Sequence, residues 1–150
     1  ISSVIWRFGQ ERFSRRIARD VVRRREQAPI SSTKELAELV LKVMPYKARF
    51  HKIHPATRTF QALRIAVNRE LDALDEALRK ISLFVNKGGR VCVISFHSLE
   101  DKIVKENFRE LVKTGRFRLL FKKVLRPQEE EISDNPRSRS AKMRVIERFK

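Results

Sequence analysis

The stretch that most restricts what this chain can fold into is Gly88-Gly89-Arg90-Val91-Cys92-Val93-Ile94-Ser95-Phe96-His97-Ser98-Leu99-Glu100-Asp101. The glycine pair stops a helix, and Val91 to Ile94 form an apolar run without alternation. Such runs mark strands covered on both faces, as in parallel sheets. Polar residues then appear where the run must end, and Ser98 with Asp101 three residues on reads as a capping pair opening a helix. In open α/β sheets ligands sit beyond the carboxyl ends of the strands, so Ser95, His97 and Ser98 are candidates for chemistry. A plain cap at Ser98 and a loop histidine at position 97 fit the same residues. Cys92 is the sole cysteine and reads as core packing, which leaves no internal disulfide or cysteine-rich zinc site.

Upstream, helical spacing dominates. Val4, Ile5 and Phe8 form one short face, Gly9 interrupts, and Phe13, Ile17 and Val21 resume it. The chain starts inside this apolar pattern with neither methionine nor cap, so it is expected to be cut from something longer. Arg12, Arg15, Arg16, Arg19 and Arg23 to Arg25 line the other face, as a solvated stripe or an RNA-facing one. Pro29 closes this helix, and Ser32 with Glu35 makes a capping box for the next, whose stripe is Leu36, Leu39, Val40 and Val43 before Pro45. Tyr46 to Pro55 reads as a basic linker, and its His51 and His54 lack the neighbouring carboxylate or cysteine a metal pair would need. From Thr57 to Asn86, Phe60, Leu63, Val67, Leu71, Leu74, Leu78, Ile81 and Val85 predict one long, bent helix on the sheet, capped by Gly88.

Downstream, Leu99 to Val112 predicts a helix with Ile103, Val104, Phe108 and Leu111 inward, ended by Gly115. Phe117 to Val124 and Ala141 to Phe149 read as strands, joined by a polar loop over Leu125 to Ser140. An antiparallel pair at the edge of a parallel sheet is the arrangement these pieces suggest. With only four glycines the chain has no glycine-rich nucleotide loop, and no strand is followed by an acid placed to hold a ribose.

Charge narrows the partners. The 150 residues carry 35 Lys and Arg against 18 Asp and Glu, a net charge of +17, while 41% of the residues are hydrophobic. This is a folded, very basic protein whose field attracts a polyanion, with ribosomal RNA, DNA and anionic membrane all open. No apolar run nears the roughly 20 residues that span a bilayer and no signal peptide is visible, so a cytoplasmic protein is expected.

Three blocks carry a resemblance: His54-Pro55-Ala56-Thr57-Arg58-Thr59-Phe60-Gln61-Ala62-Leu63-Arg64-Ile65 with Val67-Asn68, the Gly88 to Asp101 stretch, and Asn135-Pro136-Arg137-Ser138-Arg139-Ser140-Ala141. Together, with Phe8-Gly9-Gln10-Glu11-Arg12-Phe13 as a fourth, they resemble the RsmH/MraW family of S-adenosylmethionine-dependent methyltransferases, which modify the N4 amine of a cytidine in small-subunit ribosomal RNA. The resemblance implies the carboxyl-terminal portion of a Rossmann-like class I methyltransferase sheet, with one buried parallel strand and an edge antiparallel pair. It implies a helical substrate-recognition segment over 1–50 and methyltransferase sequence over 51–150. S-adenosyl-L-methionine is the implied cofactor, its binding residues mostly in an amino-terminal half that this chain lacks. Small-subunit ribosomal RNA or the small ribosomal subunit is the implied partner, with no membrane; a homodimer is left open. The connection from Asp101 to Asn135 is short and highly basic, where members of the family often carry a longer insertion.

The chemistry such an enzyme needs can be matched to residues. The exocyclic amine of cytosine is a poor nucleophile, so it must be held in line with the methyl donor and its N–H groups accepted. The base must also leave its stack for a pocket. Asn135 can pair with a base edge and Pro136 can lie flat on it, although Asn-Pro is also a common turn dipeptide. Ser95, His97 and Ser98 form the second candidate set, with no general base strictly required. Arg137 and Arg139 could clamp flanking phosphates, and His54 and Arg58 open a helix whose free N–H groups favour an anion. The competing reading is a non-enzymatic basic RNA-binding or ribosome-binding module derived from the same family. A DNA-binding protein finds little support, since no helix-turn-helix connection is evident. If a half is missing, the apolar stripes should leave exposed surface.

Overall fold

In a computed structural model, residues 1–49 and 53–150 are described, with the backbone alone at position 47. The chain divides into two compact units, Ile1–Glu70 and Leu71–Lys150.

The first unit is helical. α1 (Ser2–Gly9) ends where Gln10 turns left-handed at φ 51°, and α2 (Ser14–Gln27) begins after a tight turn. In that turn the buried Glu11 accepts a hydrogen bond from the Phe13 amide at 2.9 Å. α3 (Thr33–Val43) starts on Ser32, whose hydroxyl accepts from the Glu35 amide, while the Glu35 carboxylate accepts from Ser31, one residue before the expected box partner. Ile5, Ile17, Val40, Val43, Met44 and Ala56 form the core of this unit. Part of the segment expected as a linker is a short helix, α4 (Tyr46–Arg49). His51, half of the weighed histidine pair, lies outside the described residues.

α5 (Thr57–Asn68) packs on α1, and Gly9 makes the contact possible. A Cβ there would run into the Arg58 carbonyl oxygen, so the two backbones touch where only glycine fits. The long helix expected over Thr57 to Asn86 is two helices. Arg69 adopts φ 51° and ends α5, and α6 (Glu70–Ile81) follows, so only the second half packs beside the sheet. The expected stripe also fails on α5: Thr59, Ala62 and Ile65 are buried, whereas Val67 is 80% exposed. The small residues Ala62 and Gly9 allow a close helix pair, so the buried face follows size rather than hydrophobicity. Nor does Gly88 cap the helix. α6 stops at Ile81, and Gly88, at φ 82°, turns the chain into the sheet by donating to the Arg148 carbonyl at 2.7 Å.

The second unit is a three-stranded sheet in the order β1-β3-β2, with β1 Arg90–Ser95, β2 Phe117–Leu119 and β3 Lys142–Arg148. β3 runs antiparallel to both neighbours, pairing Arg90 with Glu147 and Ser95 with Lys142 on one side and Phe117 with Arg148 on the other. β1 and β2 therefore point the same way with α7 (Ser98–Lys113) between them in sequence, a split β-α-β unit with the last strand inserted. Val104 and Phe108 of α7, Leu78 of α6, Phe117 and Ile146 form the core under one face.

Three expectations change here. The antiparallel pair is present, as β2 and β3 with β2 at the edge, but β1 joins it by antiparallel pairing with β3, so among the described residues the expected parallel strand lies in an antiparallel sheet. Strand Phe117 to Val124 shortens to Leu119, with one further bridge from Leu125 to Met143, and the polar loop contains α8 (Glu129–Asp134) and a 3-10 turn, Pro136–Ser140. β1 is covered on one face only. Val91 and Val93 face the α7 core, while Cys92 and Ile94 are exposed, so Cys92 is not core packing. The apolar run suits a two-sided burial that the described residues supply on one side. Exposed apolar surface is present, on Ile94, Phe96, Leu83 and Phe84 more than along the helical stripes. No helix among the described residues is long and apolar enough to cross a membrane.

Candidate functional site

The carboxyl end of β1 is built as expected in outline and differently in its bonds. His97, not Ser98, caps α7: its Nδ1 accepts from the Glu100 amide at 3.3 Å, while the Glu100 carboxylate accepts from the amides of Phe96 (2.9 Å) and His97 (3.3 Å). An accepting Nδ1 puts the proton of the neutral ring on Nε2, which lies 3.5 Å from Glu100 Oε1. The reciprocal box works with His97 and Glu100 because they stand three apart, one residue before the expected pair of Ser98 and Asp101. Ser98 is the exposed first residue of α7. Ser95 is buried, and its hydroxyl donates to the Lys142 carbonyl at 3.3 Å.

Asp101 is thereby released from capping and serves as an anchor. Its carboxylate takes both prongs of the Arg144 guanidinium, at 2.7 and 3.2 Å, with the Lys142 ammonium 3.8 Å away. The Arg144 hydrogen bond, with the charges of Arg144, Lys142 and Lys105, holds the carboxyl below the usual range against the opposing cost of burial. On the other sheet face Glu147 lies opposite both Arg90 and Arg118, accepting from them at 2.8 and 2.6 Å, and these two bonds lower its pKa in the same way.

The turn before β3 differs in being open. Asn135 Oδ1 accepts from the Arg137 amide at 3.3 Å and caps the 3-10 turn, in which Pro136 holds the first position. Asn135, Pro136, Arg137 and Arg139 are exposed, and Ser138 alone is buried. Asn135 keeps its amide hydrogens and one oxygen lone pair for other partners among the described residues. Because Lys142 pairs with Ser95, this turn meets the sheet at the carboxyl end of β1, the same end as His97 and Ser98.

In the first unit, Arg58 donates to the Gln10 carbonyl at 3.3 Å, which brings the start of α5 to the turn that carries Arg12. His54 is exposed, and its Nδ1 accepts from the Ala56 amide at 3.2 Å. Between α1 and α2 lies an open cleft of about 550 Å3 lined by Trp6, Arg7, Arg12 and Arg15 among others. Trp6 drew no attention in the sequence; the available signal was a lone tryptophan beside arginines in a segment nearly free of acids.

At the carboxyl end of β1, Ser95 is committed to Lys142 and His97 to the helix cap. Gly88 and Gly115 take positive φ, at 82° and 70°.

The family described as the MraW methylase family matches residues 1–149. Relatives named "Ribosomal RNA small subunit methyltransferase H" include those of Rhodopirellula baltica, 55% identical over 99% of this chain and 45% of its own length, and Coprothermobacter proteolyticus, 51% identical over 99% and 48%. That of Trichodesmium erythraeum is 46% identical over 99% of this chain and 50% of its own length. The chain thus spans about half the length of the relatives it matches. With residues 1–149 matched end to end and identity near one half, the chain belongs to the MraW methylase family.

Proposed function

We propose that this chain is the substrate-side, carboxyl-terminal part of an S-adenosyl-L-methionine-dependent enzyme that methylates the N4 amine of a cytidine in small-subunit ribosomal RNA, acting in the cytoplasm. The observation that carries the reading is the match along residues 1–149 to relatives named for small-subunit ribosomal RNA methylation. The groups that bind the methyl donor are assigned mostly to the half of the relatives' length that this chain does not span, which agrees with the committed strand end of β1. The same half would cover Cys92 and Ile94, whose exposure is otherwise unexplained in a run so apolar.

The residues here act on the RNA. Asn135 offers amide hydrogens to the acceptors of a cytosine edge and an oxygen lone pair to its amine, and Pro136 supplies a flat contact beside it. Arg137 and Arg139, exposed on the same turn, take the adjoining phosphates, with Arg58, His54 and Arg12 contacting RNA from the first unit. Within the helical part, residues 1–50 serve substrate recognition. Ser95 and Ser98 bound the pocket, and His97 acts as a positioning residue that fixes the start of α7.

The test is methyl transfer to immature small ribosomal subunits by the protein completed with the remaining half of its relatives' length. Asn135→Ala should lower kcat/KM about hundredfold, the scale set by losing one aligned hydrogen-bonding group. The 150-residue chain alone should show no heat of binding with S-adenosyl-L-methionine. Donor binding and transfer by the chain alone would overturn the division of labour, and full activity of Asn135→Ala would remove that residue from the pocket.

A further inference from the structure

Segment 1–19 carries five arginines and one acid, Glu11, which is buried and bonded to the Phe13 amide. That acid is therefore withdrawn from the arginines of this segment, whereas farther along α2 Arg23 pairs with Asp20 and Arg24 with Glu35. Arg7, Arg12 and Arg15 line one cleft of about 550 Å3, and none of the three is ion-paired among the described residues. Two lie over rings: the Arg12 guanidinium is 4.7 Å from the Phe13 centroid and that of Arg7 5.5 Å from the Phe8 centroid. Stacking restricts such a side chain before any ligand arrives, which lowers the entropy lost on binding. In the same cleft stands Trp6, 59% exposed, with the hydroxyl residues Ser2 and Ser3 beside it.

An exposed indole among unpaired guanidiniums is an odd surface for a protein to keep, unless something planar and anionic covers it. Single-stranded nucleic acid has both properties in one chain, offering a base face to the ring and phosphates to the arginines. A duplex hides its base faces inside the stack and cannot use the ring. We infer that the cleft between α1 and α2 is a single-stranded RNA subsite, in which one unstacked base lies on Trp6 and the flanking phosphates are held by Arg7, Arg12 and Arg15. This deepens the proposed ribosomal RNA function and rests on it. The subsite grips a nucleotide away from the methylated base and gives affinity without reading sequence, because every base has a face to stack.

The experiment uses the fact that Trp6 is the sole tryptophan, so its fluorescence reports this cleft alone. The chain is titrated with a fluorescein-labelled single-stranded RNA decamer, following tryptophan quenching and label anisotropy together, and with duplex RNA of the same length. Saturable quenching by the single strand is expected, with little by the duplex. Trp6→Ala should weaken binding about tenfold and Trp6→Phe, which keeps a ring, by about threefold or less. Replacing Arg7, Arg12 and Arg15 together by Gln should flatten the slope of log K against log salt by about two, from three phosphates at about 0.7 each. Anisotropy unchanged by Trp6→Ala, without quenching in the parent, would overturn the subsite while leaving RNA binding in place. Quenching as strong by the duplex would overturn the stacking. Absence of RNA binding in every variant would bring down the ribosomal RNA reading itself.

Discussion

The arginines on the strands of the second unit and those lining the α1–α2 cleft of the first are used in opposite ways. In the sheet unit the cations on the strands are bonded: Arg144 to Asp101, and Arg90 and Arg118 to the one buried carboxylate of Glu147. In the first unit Arg7, Arg12 and Arg15 have no carboxylate among the described residues, and the nearest acid in sequence, Glu11, is spent on a backbone amide. The same side chain is architecture in one place and an open binding group in the other. What separates them is where the acids go: the strands put a Glu directly opposite two arginines, whereas near the first two helices Asp20 is taken by Arg23 and Glu11 by a backbone amide. Net charge locates the interest in a polyanion, but only pairing shows which cations are still free to meet it.

The contrast implies that the first unit is held by packing and that the second depends measurably on charge. The largest effect is expected from Gly9→Ala, which forces a methyl group into the Arg58 carbonyl where α1 crosses α5. Overpacking against backbone should cost about 2–3 kcal/mol, read as a lower midpoint when denaturation is followed through Trp6. Asp101→Asn comes next. It removes the partner of Arg144 and an acid from the first turn of α7, and should cost about 1–2 kcal/mol in amide exchange along β3, a figure kept low because the pair is partly solvated. A first unit that loosened equally in that variant would break the contrast.

Acid should separate the units without mutation. The carboxyls of Asp101 and Glu147 titrate below their ordinary values of 3.8 and 4.5 because of the arginines bonded to them. Their stabilisation is therefore complete above the unfolded values and disappears as pH falls through the lower folded ones. Exchange along β3 should accelerate below about pH 4, while Trp6 fluorescence in the first unit changes little over the same range. Coincident transitions would mean that the first unit also leans on its few acids.

The helices that pack by apolar stripe were legible in the sequence: α3 from its Ser32 cap, and α7 from Val104 and Phe108. The existence and place of the central strand were legible too, though not its one-sided burial, and so was the position of β3. The break at Arg69 was not, because an arginine at φ 51° carries no sequence signal comparable to glycine, and the apolar spacing ran on through it. The order of strands was hidden for another reason. Insertion of β3 between β1 and β2 is decided by Glu147 and Ile146 finding partners on both sides, and nothing within any one strand records that. At the candidate site, the Asn135 turn and the strand end were visible as polar breaks. Their bonding was not, since Ser98 and His97 each satisfy the local cap chemistry and three-dimensional position chose between them.

That choice gives the smallest and most selective prediction. If His97 is a cap, its function lies in an oxygen or nitrogen that can accept the Glu100 amide, and any good cap should replace it. His97→Ala should cost about 1 kcal/mol, whereas His97→Asn should stay within a few tenths of the parent. A proton-accepting role predicts the reverse grouping: Asn and Ala would fail alike in methyl transfer by the completed protein, and the ionisation of the ring would vanish from the pH profile in both. The two variants therefore sort by stability if the ring is structural and by activity if it is chemical. The bonds of the strand end favour the first. Both faces of the box are closed, with Glu100 taking the amides of Phe96 and His97 as His97 takes that of Glu100, so an imidazole that left to accept a proton would uncap the helix beneath it.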